Sequence, residues 1–141
     1  MAHEFSRNRQ DAAVNPADLA LPNAGGGTVN SAAIDLNAVD PNLAPIEYQL
    51  VTPALTVGQL PNGETQTYTW QDSADDVTYT AVMVLTQATQ TGAGGAGDAG
   101  DSDGIRFVAP STQRRYGRVS CTSSGGANDC SASDLTLTVR F

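Results

Sequence analysis

Residues Arg114–Phe141 read RRYGRVSCTSSGGANDCSASDLTLTVRF, and this stretch decides the fold class. In its last limb Leu135, Leu137, Val139 and Phe141 alternate with Thr136, Thr138 and Arg140. A period of two marks a strand with one dry face and one wet face. The first limb, RRYGRVSC, and a Gly/Ser-rich turn complete what reads as a closing β-hairpin. Setting Cys121 opposite Cys130 would place Tyr116 across from Leu135, so the arginines and the apolar row would share a face. Pairing Val119 with Leu135 leaves Arg114, Tyr116 and Arg118 outward beside Thr136 and Arg140. This second register is preferred because it keeps charge out of the core, unless a bulge restores the parity. The expected inward row is Val119, Leu135, Leu137, Val139 and Phe141, with Phe141 tying the terminus into the sheet.

Similar signals recur upstream. IEYQLV (Ile46 to Val51) puts Ile46, Tyr48 and Leu50 on one face, and ETQTYTWQD puts Gln66, Tyr68, Trp70 and Asp72 on another. TVNSAAIDLN (from Thr28) reads as a first strand and GIRFVAP (from Gly104) as a late one. ALTVGQL, after Pro53, is either a short strand or an extended loop. VTYTAVMVLTQATQ (Val77 to Gln90) is apolar on both faces; AVMVLTQA could form a helix, but the β-branched density of Val77 to Thr86 favours a strand, central in its sheet. Pro61-Asn62-Gly63 is a turn, since Pro presets φ and Gly supplies a left-handed position. The low-complexity run Gly92 to Gly104 is expected to be a surface loop with nothing to bury. Roughly seven or eight short strands with turns every ~8–12 residues predict an all-β domain, an antiparallel β-sandwich or jelly roll. The domain is expected over residues 31–141. Residues 1–30, broken by Pro16, Pro22 and Gly25-Gly26-Gly27, are expected to be an extended N-terminal arm that lays Val14, Leu19 and Leu21 on a partner.

The chain of 141 residues suffices for one core. It has no lysine, and its net charge is −8. From Gln10 to Ile105 every charged residue is acidic, whereas Arg106, Arg114, Arg115, Arg118 and Arg140 lie in the last quarter. Such a body argues against nucleic-acid binding, which rests on clustered Lys and Arg. No run resembles a membrane span, and the polar start MAHEFSRNRQ lacks the apolar core of an export signal.

No enzyme site and no cofactor are expected. The single histidine, His3, lies at the start of the arm, and no pattern sets two carboxylates apart in a cleft. Asp98, Asp101 and Asp103 crowd one loop in the manner of an oxygen-rich calcium site, but the spacing and the missing downstream Glu favour a plain acidic loop. Cys121 and Cys130 flank a turn, and the face argument and the missing export signal favour two free thiols over a disulfide. Tyr68 and Trp70 are either core or a platform for a glycan, with core favoured. Arg114, Tyr116 and Arg118, joined by Arg140, form the most interface-like set, against the plainer reading of a solvated face paired with nearby carboxylates.

In this order, TVNSAAIDLN, the TYTWQDSADD strand and turn, the Gly/Ala/Asp-rich crossing and IRFVAPSTQRRYGRVSC resemble the small cement (decoration) proteins of tailed-bacteriophage heads, of the jelly-roll, Bordetella-phage type. The resemblance runs from about Thr28 to Phe141, and the longer arm and the two cysteines depart from it. It implies a non-enzymatic jelly roll, often a homodimer. Such a protein is made in the host cytoplasm and sits on the outer capsid surface of the virion, bridging copies of the major capsid protein. Neither membrane nor nucleic acid is an expected partner. The alternative is a carbohydrate- or receptor-binding β-sandwich module using Tyr68 and Trp70.

Overall fold

The alternation in ETQTYTWQD governs the architecture: Gln66, Tyr68, Trp70 and Asp72 are all buried, and Thr65, Thr67, Thr69 and Gln71 form the other face. The computed structural model describes residues 18–36, 46–110 and 112–140. Its strands are β1 (Leu19–Ala20), β2 (Thr28–Asn30), β3 (Ile34–Asp35), β4 (Glu47–Thr52), β5 (Thr65–Ser73), β6 (Thr80–Val84), β7 (Gln90–Thr91), β8 (Asp101–Val108), β9 (Tyr116–Ser123) and β10 (Asp134–Arg140). One sheet has the order β1-β10-β4-β8. The other has β2-β9-β5-β6, with β3 also on β9 and β7 also on β5.

Every strand pairing among the described residues is antiparallel, and the order follows one rule. First pairs with last (β1 with β10), the broken second strand β2/β3 with β9, β4 with β8, and β5 with the broken strand β6/β7. That is one long hairpin of eight strand positions. Rolling it up brings β10 against β4 and β9 against β5, which is the jelly roll. The chain is therefore an all-β antiparallel sandwich. Among the described residues no helix is long and apolar enough to cross a membrane.

The rolled topology corrects the expected closing hairpin. β9 and β10 lie in different sheets, and the CTSSGGANDC stretch carries the chain from one to the other. Each limb has a better partner elsewhere: β9 aligns with β5 from Tyr116↔Ser73 to Ser123↔Gln66, and β10 aligns with β4 from Thr136↔Val51 to Arg140↔Glu47. The inward row survives, because alternation reports the face and not the neighbour: Val119, Leu135, Leu137 and Val139 are buried. Phe141 lies outside the described residues.

Three further expectations change. Val77 to Gln90 is not central: β6 is an edge, Val77 is 80% and Val84 50% exposed, and the stretch ends in a 3-10 turn at Thr86–Ala88 and β7. The first strand breaks at Ser31, whose backbone N–H donates to Val119 O while its hydroxyl accepts from Val119 N–H, a side chain replacing a ladder partner. The Gly92 to Gly104 run is partly structural. Asp98 bridges Leu55, β8 begins at Asp101, and Gly97 (φ 69°) packs against the Leu55–Val57 backbone, where a side chain has no room.

From Leu19 onward the expected arm is part of the sandwich. Leu19 pairs with Leu135, Leu21 N–H donates to Ser133 O, and Leu21 is 1% exposed. Residues 1–17, Val14 among them, lie outside the described residues. The core is centred on Tyr48, Trp70 and Phe107, whose ring centroids are 4.6 Å (Tyr48–Trp70), 5.2 Å (Tyr48–Phe107) and 5.5 Å (Trp70–Phe107) apart. Leu21, Ile34, Leu50, Leu60 and Leu135 extend it between the sheets.

Candidate interaction surface on the arginine-bearing strand

The outward side of β9 carries Tyr116 and Arg118, and the loop before it carries Arg114 and Arg115. The side chains in this small region have different tasks. Arg114 is a clamp: its N–H donates to Asp72 Oδ2 (3.0 Å), its Nε to Asp72 Oδ1 (2.7 Å) and its Nη2 to Asp72 O (2.7 Å). Asp72 is 5% exposed, so this pair closes the end of β5 and is largely spent on the fold. Arg115, which the sequence reading passed over, forks onto both carboxylate oxygens of Asp35 (3.0 and 2.8 Å) and lies over the Tyr116 ring, 4.9 Å from its centroid. That bond to Asp35 raises its pKa further. Arg106, on the other sheet, faces Glu47 at 3.8 Å.

Arg118 is held differently. The β5–β9 register sets it opposite Gln71, whose Oε1 accepts from its Nε at 2.8 Å. Its guanidinium stacks on Tyr79, 3.8 Å from the ring centroid, in cation–π contact. Tyr79 is itself anchored, because its hydroxyl donates to the Asp76 carboxylate. Burial and that hydrogen bond push the Tyr79 hydroxyl above its ordinary range. Asp76 reaches it from a left-handed backbone (φ 61°), a conformation Asp tolerates better than most residues. The preceding residue caps the turn: Asp75 Oδ1 accepts from Ser73 Oγ (2.8 Å), Val77 N–H (3.0 Å) and Thr78 N–H (2.9 Å). Those donors, led by the two backbone amides, pull the Asp75 carboxyl down to about 2.

The expected contact set is thus only partly assembled. Arg114, Tyr116 and Arg118 share one end of one sheet, but Arg140 belongs to β10 in the other sheet, so the four do not form one face. Leu21 is buried in this chain's own core and Leu19 is half-buried against it, so neither is an arm residue reaching outward. The glycan platform fails as well. Tyr68 and Trp70 are both 0% exposed, and the Tyr68 hydroxyl donates to Gln90 Oε1 at 2.6 Å. Their face of β5 is the one that looks at the opposite sheet.

In the acidic loop, the Asp98 carboxylate accepts from Gln90 Nε2 (3.0 Å), Thr91 N–H (3.2 Å) and Gly100 N–H (2.8 Å). Asp101 Oδ1 accepts from Asp103 N–H (3.1 Å) and Gly104 N–H (3.0 Å). Both are turn-capping arrangements, and among the described residues no group of three or more His, Cys, Asp or Glu is placed to hold a metal ion. Cys121 and Cys130 are both free and buried.

Gln71 and Tyr79 were missed because nothing in their spacing points at Arg118. The contact arises from strand register and from a turn that folds back over it. Compared with known proteins, the chain matches no family model, and no curated protein is similar enough to count as a relative.

Proposed function

We propose that this chain is a structural cement protein that binds the outer surface of a phage head, as a homodimer, and bridges copies of the major capsid protein. The observation that carries the reading is the outer end of the β9–β5 face. There Arg118, Tyr116 and Tyr79, residue types enriched at binding hot spots, stand beside uncharged Thr69 on a body of net charge −8. The resemblance of Thr28 to Phe141 to jelly-roll cement proteins supports it, and the two-sheet antiparallel frame is compatible with it.

Co-sedimentation with purified empty heads lacking this protein tests the reading. The wild-type chain should pellet with the heads to a saturating, fixed ratio. Arg118→Glu should weaken attachment, and deletion of residues 1–17, which leaves β1 intact, reports the contribution of the arm. A wild-type chain that stays in the supernatant at every head concentration would refute the assignment.

A further inference from the structure

We infer that the Arg118–Tyr79 stack is a preformed receptor for a carboxylate that the partner protein presents, an Asp or Glu side chain or a chain terminus. The inference rests on the docking reading above and adds the partner's chemistry to it. In a chain with 15 acidic residues, the common fate of an arginine is neutralisation from within. Arg106, Arg114 and Arg115 follow it, facing Glu47, Asp72 and Asp35. Among the described residues Arg118 does not: its partners there are an amide oxygen and an aromatic ring. Its side chain is fixed in direction, and no carboxylate among the described residues is bonded to it.

That combination suits recognition. A guanidinium stacked by its face and bonded through Nε keeps its terminal nitrogens for a planar acceptor, and a carboxylate matches them with two parallel hydrogen bonds. Fixing the long side chain beforehand removes much of the ordering cost that binding would otherwise meet. The support is layered beneath it. Asp75 caps the turn, Asp76 takes a left-handed backbone and holds the Tyr79 hydroxyl, and Tyr79 carries the guanidinium. The nearby acid, Asp76, is engaged through that hydroxyl. Tyr116, half-exposed two residues before Arg118 on the same strand face, adds apolar surface beside the spot.

The test is a double block on the head-binding assay. Arg118→Gln should weaken attachment at least about tenfold, the loss of a charge-assisted fork, while it still unfolds cooperatively with a midpoint only slightly below wild type. Arg118→Lys should recover only part, because an ammonium can neither fork nor stack in the same way. Heads whose surface carboxylates have been amidated with a carbodiimide should bind wild type as weakly as native heads bind Arg118→Gln, and should bind that variant no worse. Wild-type attachment that Arg118→Gln leaves intact would overturn the receptor while leaving the cement reading standing. Equal weakening of both proteins by amidation would place the carboxylate elsewhere and overturn it too. Failure of wild type to attach to native heads would overturn both readings.

Discussion

Cys121 and Cys130 are bound to the two ends of one buried amide. The Cys121 thiol donates to Gln66 Oε1 at 3.4 Å, and Gln66 Nε2 donates to the Cys130 sulfur at 3.2 Å. Ser123 Oγ also donates to Gln66 Oε1, at 2.8 Å. A glutamine at 0% exposure is tolerable because both ends of its amide are satisfied. Gln66→Leu should cost about 1–3 kcal/mol, since it leaves the Ser123 hydroxyl and the Cys121 thiol without this acceptor in a dry site. Urea unfolding with unchanged m-value measures it.

The same cluster sets an alkaline limit on stability. Burial pushes the Cys121 thiol from its ordinary 9.0 up to about 12, and the Cys130 thiol upward as well. The folded state holds these protons more tightly than the unfolded chain. Their contribution is therefore complete below pH 9.0 and lost as pH rises toward 12. Burial raises the Tyr48 and Tyr68 hydroxyls too, with the same sign. The thermal midpoint should fall between pH 9 and pH 11, and Cys121→Ala should flatten part of that slope. A slope identical in the variant would contradict the assignment to Cys121.

Arg114 belongs to the fold more than to a docking surface. Arg114→Ala leaves the Asp72 carboxylate, 5% exposed, without its guanidinium. The expected cost is about 1–3 kcal/mol, less than for a fully buried pair because Arg114 is partly wet. Chemical denaturation should show this loss for Arg114→Ala and a smaller one, about 0.5–1 kcal/mol, for Arg118→Gln, which gives up its contacts to Gln71 and Tyr79 at a partly wet site.

Gly117 is a packing requirement. A Cβ there would meet Trp70 Cη2 at 2.7 Å and Gln113 Nε2 at 2.9 Å. Gly117→Ala should therefore destabilise by ~1–3 kcal/mol through overpacking, with blue-edge Trp70 emission disturbed. A variant as stable as wild type, with unchanged fluorescence, would show that β9 can shift freely against β5.

Faces were legible in the sequence and neighbours were not. The period of two in ETQTYTWQD, IEYQLV and LTLTVRF assigned Trp70, Tyr48, Leu50, Leu135 and Leu137 inward, and all are buried. Pro61-Asn62-Gly63 was readable as a turn, and Gly63 does take φ 83°. Within Val77 to Gln90 the β-branched density pointed to a strand, found at Thr80–Val84, yet its place at the edge was not legible, because apolar content does not name a partner. The candidate surface divides the same way. Arg118 and Tyr116 were found from one strand's alternation, whereas Gln71 and Tyr79 reach them through register and a turn.

Local chemistry along one chain determined the class of this protein: short alternating strands, turn residues and an acidic, lysine-free body. Tertiary structure alone decided that RRYGRVSC and LTLTVRF part company. β9 pairs with β5 and β10 with β4, contacts between segments far apart in sequence, whose energy comes from backbone ladders and a shared core that no local pattern encodes. The same separation puts Arg140 on the other sheet from Arg118 and stacks Arg118 on Tyr79. A side chain's face is set by its own residue's geometry, but its company is set by which strands the whole chain can afford to bring together.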